Sequence, residues 1–109
     1  MEELGRAEFI ELCANSPQKW TLTSQRMDDG ATCAFIRCRL GQLEASIIGR
    51  RSCSACSAIS WSCSLGMFGA TSSANVTVFA EPSETLVQLV TRAVGTARAF
   101  AVAIGEVAL

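Results

Sequence analysis

The chain has 109 residues, half of them apolar and 17% charged, with a formal net charge of −1. That length fits one domain with a single core, and the composition excludes a disordered tail and any net-charge attraction to nucleic acid or an acidic membrane. Histidine and tyrosine are absent, which removes Ser-His and Cys-His nucleophilic pairs, His-ligated metal sites and phenolic acid catalysis together.

The first residues, MEELGRAEFIEL, carry acids where a secretory signal carries basic groups, and they lack a continuous apolar run. They predict no signal peptide, a cytoplasmic protein and reduced thiols. The spacing over residues 3–14 predicts a short helix. Phe9, Ile10, Cys13 and Ala14 fall on its packed face, and Asn15-Ser16-Pro17 stops it.

Four strand-like runs follow. Residues 19–26 alternate, Asp28-Asp29-Gly30 reads as a three-residue turn with Gly30 left-handed, and residues 31–39 form the second strand. Leu40-Gly41 reads as a two-residue turn, residues 42–48 as the third strand, and Gly49-Arg50-Arg51 as a turn into a fourth strand through residue 65. Directly opposed residues share a sheet face, so the loop lengths fix a register. It sets Leu22 opposite Ile36, Ile36 opposite Ala45, Arg37 opposite Glu44, Ile47 opposite Cys53 and Ala45 opposite Ala55. The three turns agree on one apolar face, the signature of an antiparallel meander. The other face collects hydroxyls: Thr21, Thr23, Ser46, Ser54, Ser60, Ser62 and Ser64.

Residues 66–74 read as a Gly/Ser loop and residues 75–80 as a fifth strand. Ser83 reads as the cap of a helix running to Ile104. That helix is long for the sheet beneath it, at roughly 33 Å against about 20–24 Å. Gln88, Arg92 and Arg98 interrupt its apolar run, so it is not a membrane span. The expected fold is therefore α+β over residues 1–109 as a single domain: a short N-terminal helix, an antiparallel meander of four to five strands, and a long C-terminal helix on one face.

The stretch RRSCSACSAISWSCSL, from Arg50 to Leu65, holds three of the six cysteines. With Cys33 and Cys38, the Cys53-x2-Cys56 pair could hold zinc or an iron–sulfur cluster through thiolates. On a strand, residues three apart face opposite ways, so the expected role of these thiols is packing, with Cys38, Cys53 and Cys63 inward and Cys33 and Cys56 outward. Cys13 is expected on the packed face of the first helix. No metal and no cofactor is expected.

The expected function is a small non-enzymatic protein that binds a protein partner, adaptor- or inhibitor-like, as a homodimer, with no nucleic acid and no membrane. The partner-binding candidates are Arg37, Arg39, Arg50 and Arg51, where positive charge concentrates, and Ala97, Phe100, Ala101 and Ile104 on the overhanging helix. The alternatives are a metal or redox protein using Cys33, Cys38, Cys53 and Cys56, and a carrier of a small apolar ligand held between the alanine-rich helix and the sheet.

Overall fold

The computed structural model describes residues 4–16, 18–40, 43–52, 58–68 and 73–104. Helix α1 (Arg6–Ala14) leads into strands β1 (Thr21–Arg26), β2 (Thr32–Leu40), β3 (Leu43–Arg51), β4 (Ser60–Phe68) and β5 (Ser73–Phe79), and helix α2 (Leu86–Ile104) follows. The strands form one antiparallel sheet in the order β1-β2-β3-β4-β5, so β1 and β5 are its edges and β3 is its centre. The α+β architecture expected from the sequence is the one observed, with all five strands present.

The first hairpin follows the expected register. Leu22 opposes Ile36, the Met27 amide donates to the Ala31 carbonyl at 2.7 Å, and the Gly30 amide donates to the Met27 carbonyl at 3.0 Å. Gly30 takes φ 88°, which the three-residue turn requires and which glycine adopts without a side-chain clash. The Asp29 carboxylate accepts from the Ala31 amide at 3.0 Å, closing the turn.

The next two registers are corrected. Leu40, expected in the turn, belongs to β2 and pairs with Leu43, and Arg39, not Arg37, opposes Glu44. This register keeps an opposite-charge pair and sets Phe35 opposite Ile48 and Ile36 opposite Ile47, larger apolar pairs than the expected register offers. Strand β3 continues through Gly49-Arg50-Arg51, and β4 starts at Ser60. Ile47 therefore opposes Cys63, and Ala45 opposes Leu65. Both offsets are even, so the described strand side chains keep the faces the sequence assigned to them. The physical reason for the longer β3 is Trp61. Its indole lies over Gly49, its cross-strand partner, where a Cβ would fall 2.5 Å from the ring. Gly66-Met67-Phe68, expected in a loop, completes β4.

One face of the sheet carries the core. Ile36, Ala45, Ile47, Cys63 and Leu65 are buried beneath Leu12 of α1 and Leu86, Leu89, Ala93 and Ala97 of α2. Helix α2 crosses β4 and β5, and α1 packs beside α2. The Ser24 hydroxyl donates to the Leu4 carbonyl at 3.4 Å, and the Trp20 indole N–H donates to Ser16 Oγ at 3.0 Å, tying both ends of α1 to the β1 side of the sheet.

The packed face of α1 is also corrected. Leu12 is buried and Phe9 packs on the core, whereas Ile10, Cys13 and Ala14 are exposed. Apolar residues lie on both sides of this helix, so spacing alone cannot choose; Leu12 and Phe9 win because they share a side with Gly5, which approaches Trp61 and Ala34 closely.

The cap of α2 is Thr85 and not Ser83. The Gln88 amide donates to Thr85 Oγ1 at 3.2 Å, and the Thr85 amide donates to Gln88 Oε1 at 3.0 Å, a reciprocal capping box. Arg92 then straps the β5–α2 connection. It donates to both carboxylate oxygens of Glu84, at 2.9 and 2.8 Å, and to the Phe79 carbonyl at 2.6 Å. Among the described residues no helix is long and apolar enough to cross a membrane.

Candidate interaction surface

Both helices lie on one face of the sheet, so among the described residues the other face is free of helices. The pairing aligns its side chains in rows across the strands. One row reads Thr23, Phe35, Ile48, Ser62 and Phe79. The next reads Thr21, Arg37, Ser46, Ser64 and Thr77. The first carries three apolar residues, Phe35, Ile48 and Phe79, with Thr23 and Ser62; the second is a hydroxyl band carrying one cation.

Phe79 ends the apolar row at 72% exposure, the most exposed large apolar side chain among the described residues. Its orientation follows from the alternation in β5: Val76 and Val78 pack toward the core, so Thr77 and Phe79 must point away. The Arg37 guanidinium lies 5.7 Å from the Phe35 ring centroid, in the range of a cation–π contact. In the hydroxyl row, Ser64 and Thr77 hydrogen-bond to each other at 2.9 Å. As expected, Thr21, Thr23, Ser46, Ser60, Ser62 and Ser64 occupy this face; Ser54 lies outside the described residues.

At the β2–β3 hairpin end, a cleft of about 440 Å³ is lined by Lys19, Thr21, Arg37, Cys38, Arg39, Glu44, Ala45 and Ser46. Three cations and one carboxylate give its walls a positive balance within a chain that is slightly negative overall. The four candidate arginines therefore divide. Arg37 and Arg39 gather here, while Arg50 and Arg51 lie at the far end of the same sheet. There the Arg50 guanidinium donates to Asp29 at 2.7 Å, and Asp29 is held below its usual carboxylate range by the Ala31 amide and then by Arg50. The Arg51 Nε is buried with no hydrogen-bond partner among the described residues.

Of the candidates on the helix, one has a described side chain, and it does not add to this surface. Ala97 is fully buried against the sheet, so its area is already used within the chain. The side chains of Phe100, Ala101 and Ile104 lie outside the described residues.

The thiols divide by environment. Cys38 and Cys63 point inward as expected, and burial pushes Cys63 up to about 11 and also raises Cys38. Such thiols are poor nucleophiles and poor ligands. Cys33 faces the helix-free side, as expected, yet is only 5% exposed between its cross-strand neighbours Gln25 and Arg50. Cys33 and Cys38 project from opposite faces of β2, so they cannot grip one ion together. Cys53 and Cys56 lie outside the described residues. Cys13, expected to be packed, is exposed.

A second groove, of about 220 Å³, runs between the helices, with Glu8, Glu11 and Leu12 on one wall, Thr85, Leu86 and Val87 on the other, and Trp61 between them. Glu84 also lines it, held down to about 2 by the Arg92 guanidinium and the Glu81 amide. No known protein family, curated protein or solved structure matches the chain.

Proposed function

We propose that the protein is a non-enzymatic binding module of the cytoplasm, adaptor- or inhibitor-like, that docks a partner protein on the helix-free face of its sheet. The observation that carries this reading is the exposed row ending in Phe79, flanked by hydroxyls and by the Lys19–Arg37–Arg39 cleft. Phe79, 72% exposed, stands in one row with the half-buried Phe35 and Ile48, apolar area across the sheet that a partner can cover.

The partner's chemistry follows from the surface. Apolar side chains of the partner cover Phe35, Ile48 and Phe79, and its carboxylates meet Arg37 and Arg39. The serines and threonines supply short, low-entropy hydrogen bonds around that centre. The net charge of −1 gives no long-range pull on a polyanion, so an acidic protein surface fits better than nucleic acid.

The test is affinity capture from the source cell under reducing conditions, comparing the wild-type protein with Phe79→Ser and Arg37→Glu. Neither side chain is part of the core, so both variants are expected to fold. The expected result is a protein retained by wild type and lost from both variants. A capture profile identical for all three would contradict the proposal.

A further inference from the structure

The two edges of the sheet are not equivalent. At β5 the Ala80 amide donates to the Trp61 carbonyl at 2.9 Å, so Phe79 points its own carbonyl to the outer edge, and Arg92 covers it at 2.6 Å. At β1 the pairing of Met27 with Ala31 sets the alternation: Gln25, Thr23 and Thr21 bond inward to β2. The N–H and C=O groups of Leu22, Ser24 and Arg26 therefore point outward, and none of them has a backbone partner among the described residues. Strand β1, TLTSQR, has no proline or lysine, and its single charge is at its end. These are devices with which edge strands are usually protected.

Helix α1 shows a second open surface on the same side. Glu8 and Glu11 face α2 across the helix–helix groove. At about 100° per residue, Ile10 and Cys13 lie on the opposite side of α1, toward the β1 edge. Ile10 is 58% exposed and Cys13 is exposed. The flank of α1 that carries Ile10 and Cys13, with Arg6 a turn before Ile10, and a strand edge without backbone partners among the described residues thus border the same side of the molecule.

We infer that β1 is the two-fold interface of a homodimer, in which two β1 strands pair antiparallel and join two sheets into one. Centring the axis on Ser24 sets Ser24 opposite Ser24 and Leu22 opposite Arg26, so all three outward residues of each copy bond, with about six main-chain hydrogen bonds in total. This register opposes residues of the same parity, so both pairs of helices lie on the same face of the joined sheet. The two α1 helices then flank the axis with Ile10 and Cys13 toward each other. Lys19 of each copy meets the Asp28-Asp29 turn of the other, so the charges complement at both ends. A second copy satisfies the edge, the apolar flank and the charges together, which a lone peptide strand does not. The interface borders the partner-docking face at Lys19 and otherwise lies apart from it.

The test is the mass in solution by sedimentation velocity and light scattering, for wild type, Ser24→Pro and Ile10→Asp, with amide hydrogen exchange on wild type. Because the Ser24 N–H points outward, proline there removes an intermolecular donor and leaves the β1–β2 ladder intact. The expected result is twice the chain mass for wild type. Ser24→Pro gives the chain mass with an unchanged circular dichroism spectrum, and Ile10→Asp weakens the dimer at least about tenfold. In wild type, the Leu22, Ser24 and Arg26 amides exchange slowly. A wild-type monomer at every concentration overturns the inference, as does a dimer in which those three amides exchange freely. The exchange measurement needs no variant, so a Ser24→Pro chain that fails to fold does not shield the inference.

Discussion

Replacing Gly49 with alanine tests the packing that sets the length of β3 and the register of β4. In an extended strand this substitution ordinarily stabilises, by about 0.5–1 kcal/mol, because alanine loses less conformational freedom on folding. Here the sign is expected to reverse. A Cβ at Gly49 would lie 2.5 Å from Trp61 Cζ3 and 2.7 Å from Cε3 and Cη2. The indole is a rigid plane and has little room to retreat, because Gly5 closes on it too: a Cβ there would be 2.8 Å from Cη2. Overpacking of this kind costs about 1–3 kcal/mol, which for a domain of this size lowers the melting temperature by about 5–15 °C. The assay is thermal and urea unfolding of wild type, Gly49→Ala, Trp61→Leu and the double variant. In the Trp61→Leu background the alanine is expected to be neutral or stabilising, giving a coupling of at least about 1 kcal/mol. A higher melting temperature for Gly49→Ala alone, or the same loss in both backgrounds, would refute the reasoning.

Other outcomes follow from the connections around the core. Thr85→Ala removes one arm of the capping box of α2 and is expected to cost about 1 kcal/mol in urea unfolding, whereas Ser83→Ala is expected to change little. Glu84 titrates near 2 in the fold against an ordinary value of 4.5. A depressed carboxylate adds stability that is full above the ordinary value and is lost as pH falls through the folded value, so wild type loses stability between about pH 5 and 2. Glu84→Gln is expected to flatten that acid limb in unfolding scans; an unaltered limb would show that the strap to Arg92 does not hold the β5–α2 connection. Among the four described thiols of the monomeric Ser24→Pro chain, Cys13 is expected to react first with a maleimide and Cys63 only on unfolding, read by peptide mapping. Cys63→Ser, which buries a hydroxyl among apolar groups, is expected to cost about 1–3 kcal/mol.

The faces of the strands were legible in the sequence because loop parity and alternation constrain each other. Leu22, Ile36, Ile47 and Cys63 could be assigned inward even where their partners were misjudged, since every register error was even. What was not legible was the extent of β3 and β4. Arg50 to Arg51 reads as a turn to any local rule, and only the fit of Trp61 over Gly49, twelve residues away in sequence, extends the strand past it. The α1 face was ambiguous for a related reason: Ile10 and Cys13 are as apolar as Phe9, and the choice is made by tertiary contact. Phe79 was readable and was missed. In NVTVFA the two valines claim the core face, which leaves the phenylalanine on the other side. The open edge was readable too, since the first strand of a meander has a neighbour on one side only.

The central claim is that the helix-free face, with Phe79 at its rim, is where the protein meets its partner. Oxidative footprinting of the captured complex against the free protein measures this directly. Protection of Phe79 and Phe35 in the complex, with Met27 and Trp20 unchanged, is the expected result. Unchanged labelling of Phe79 and Phe35 while a partner is bound would contradict the account.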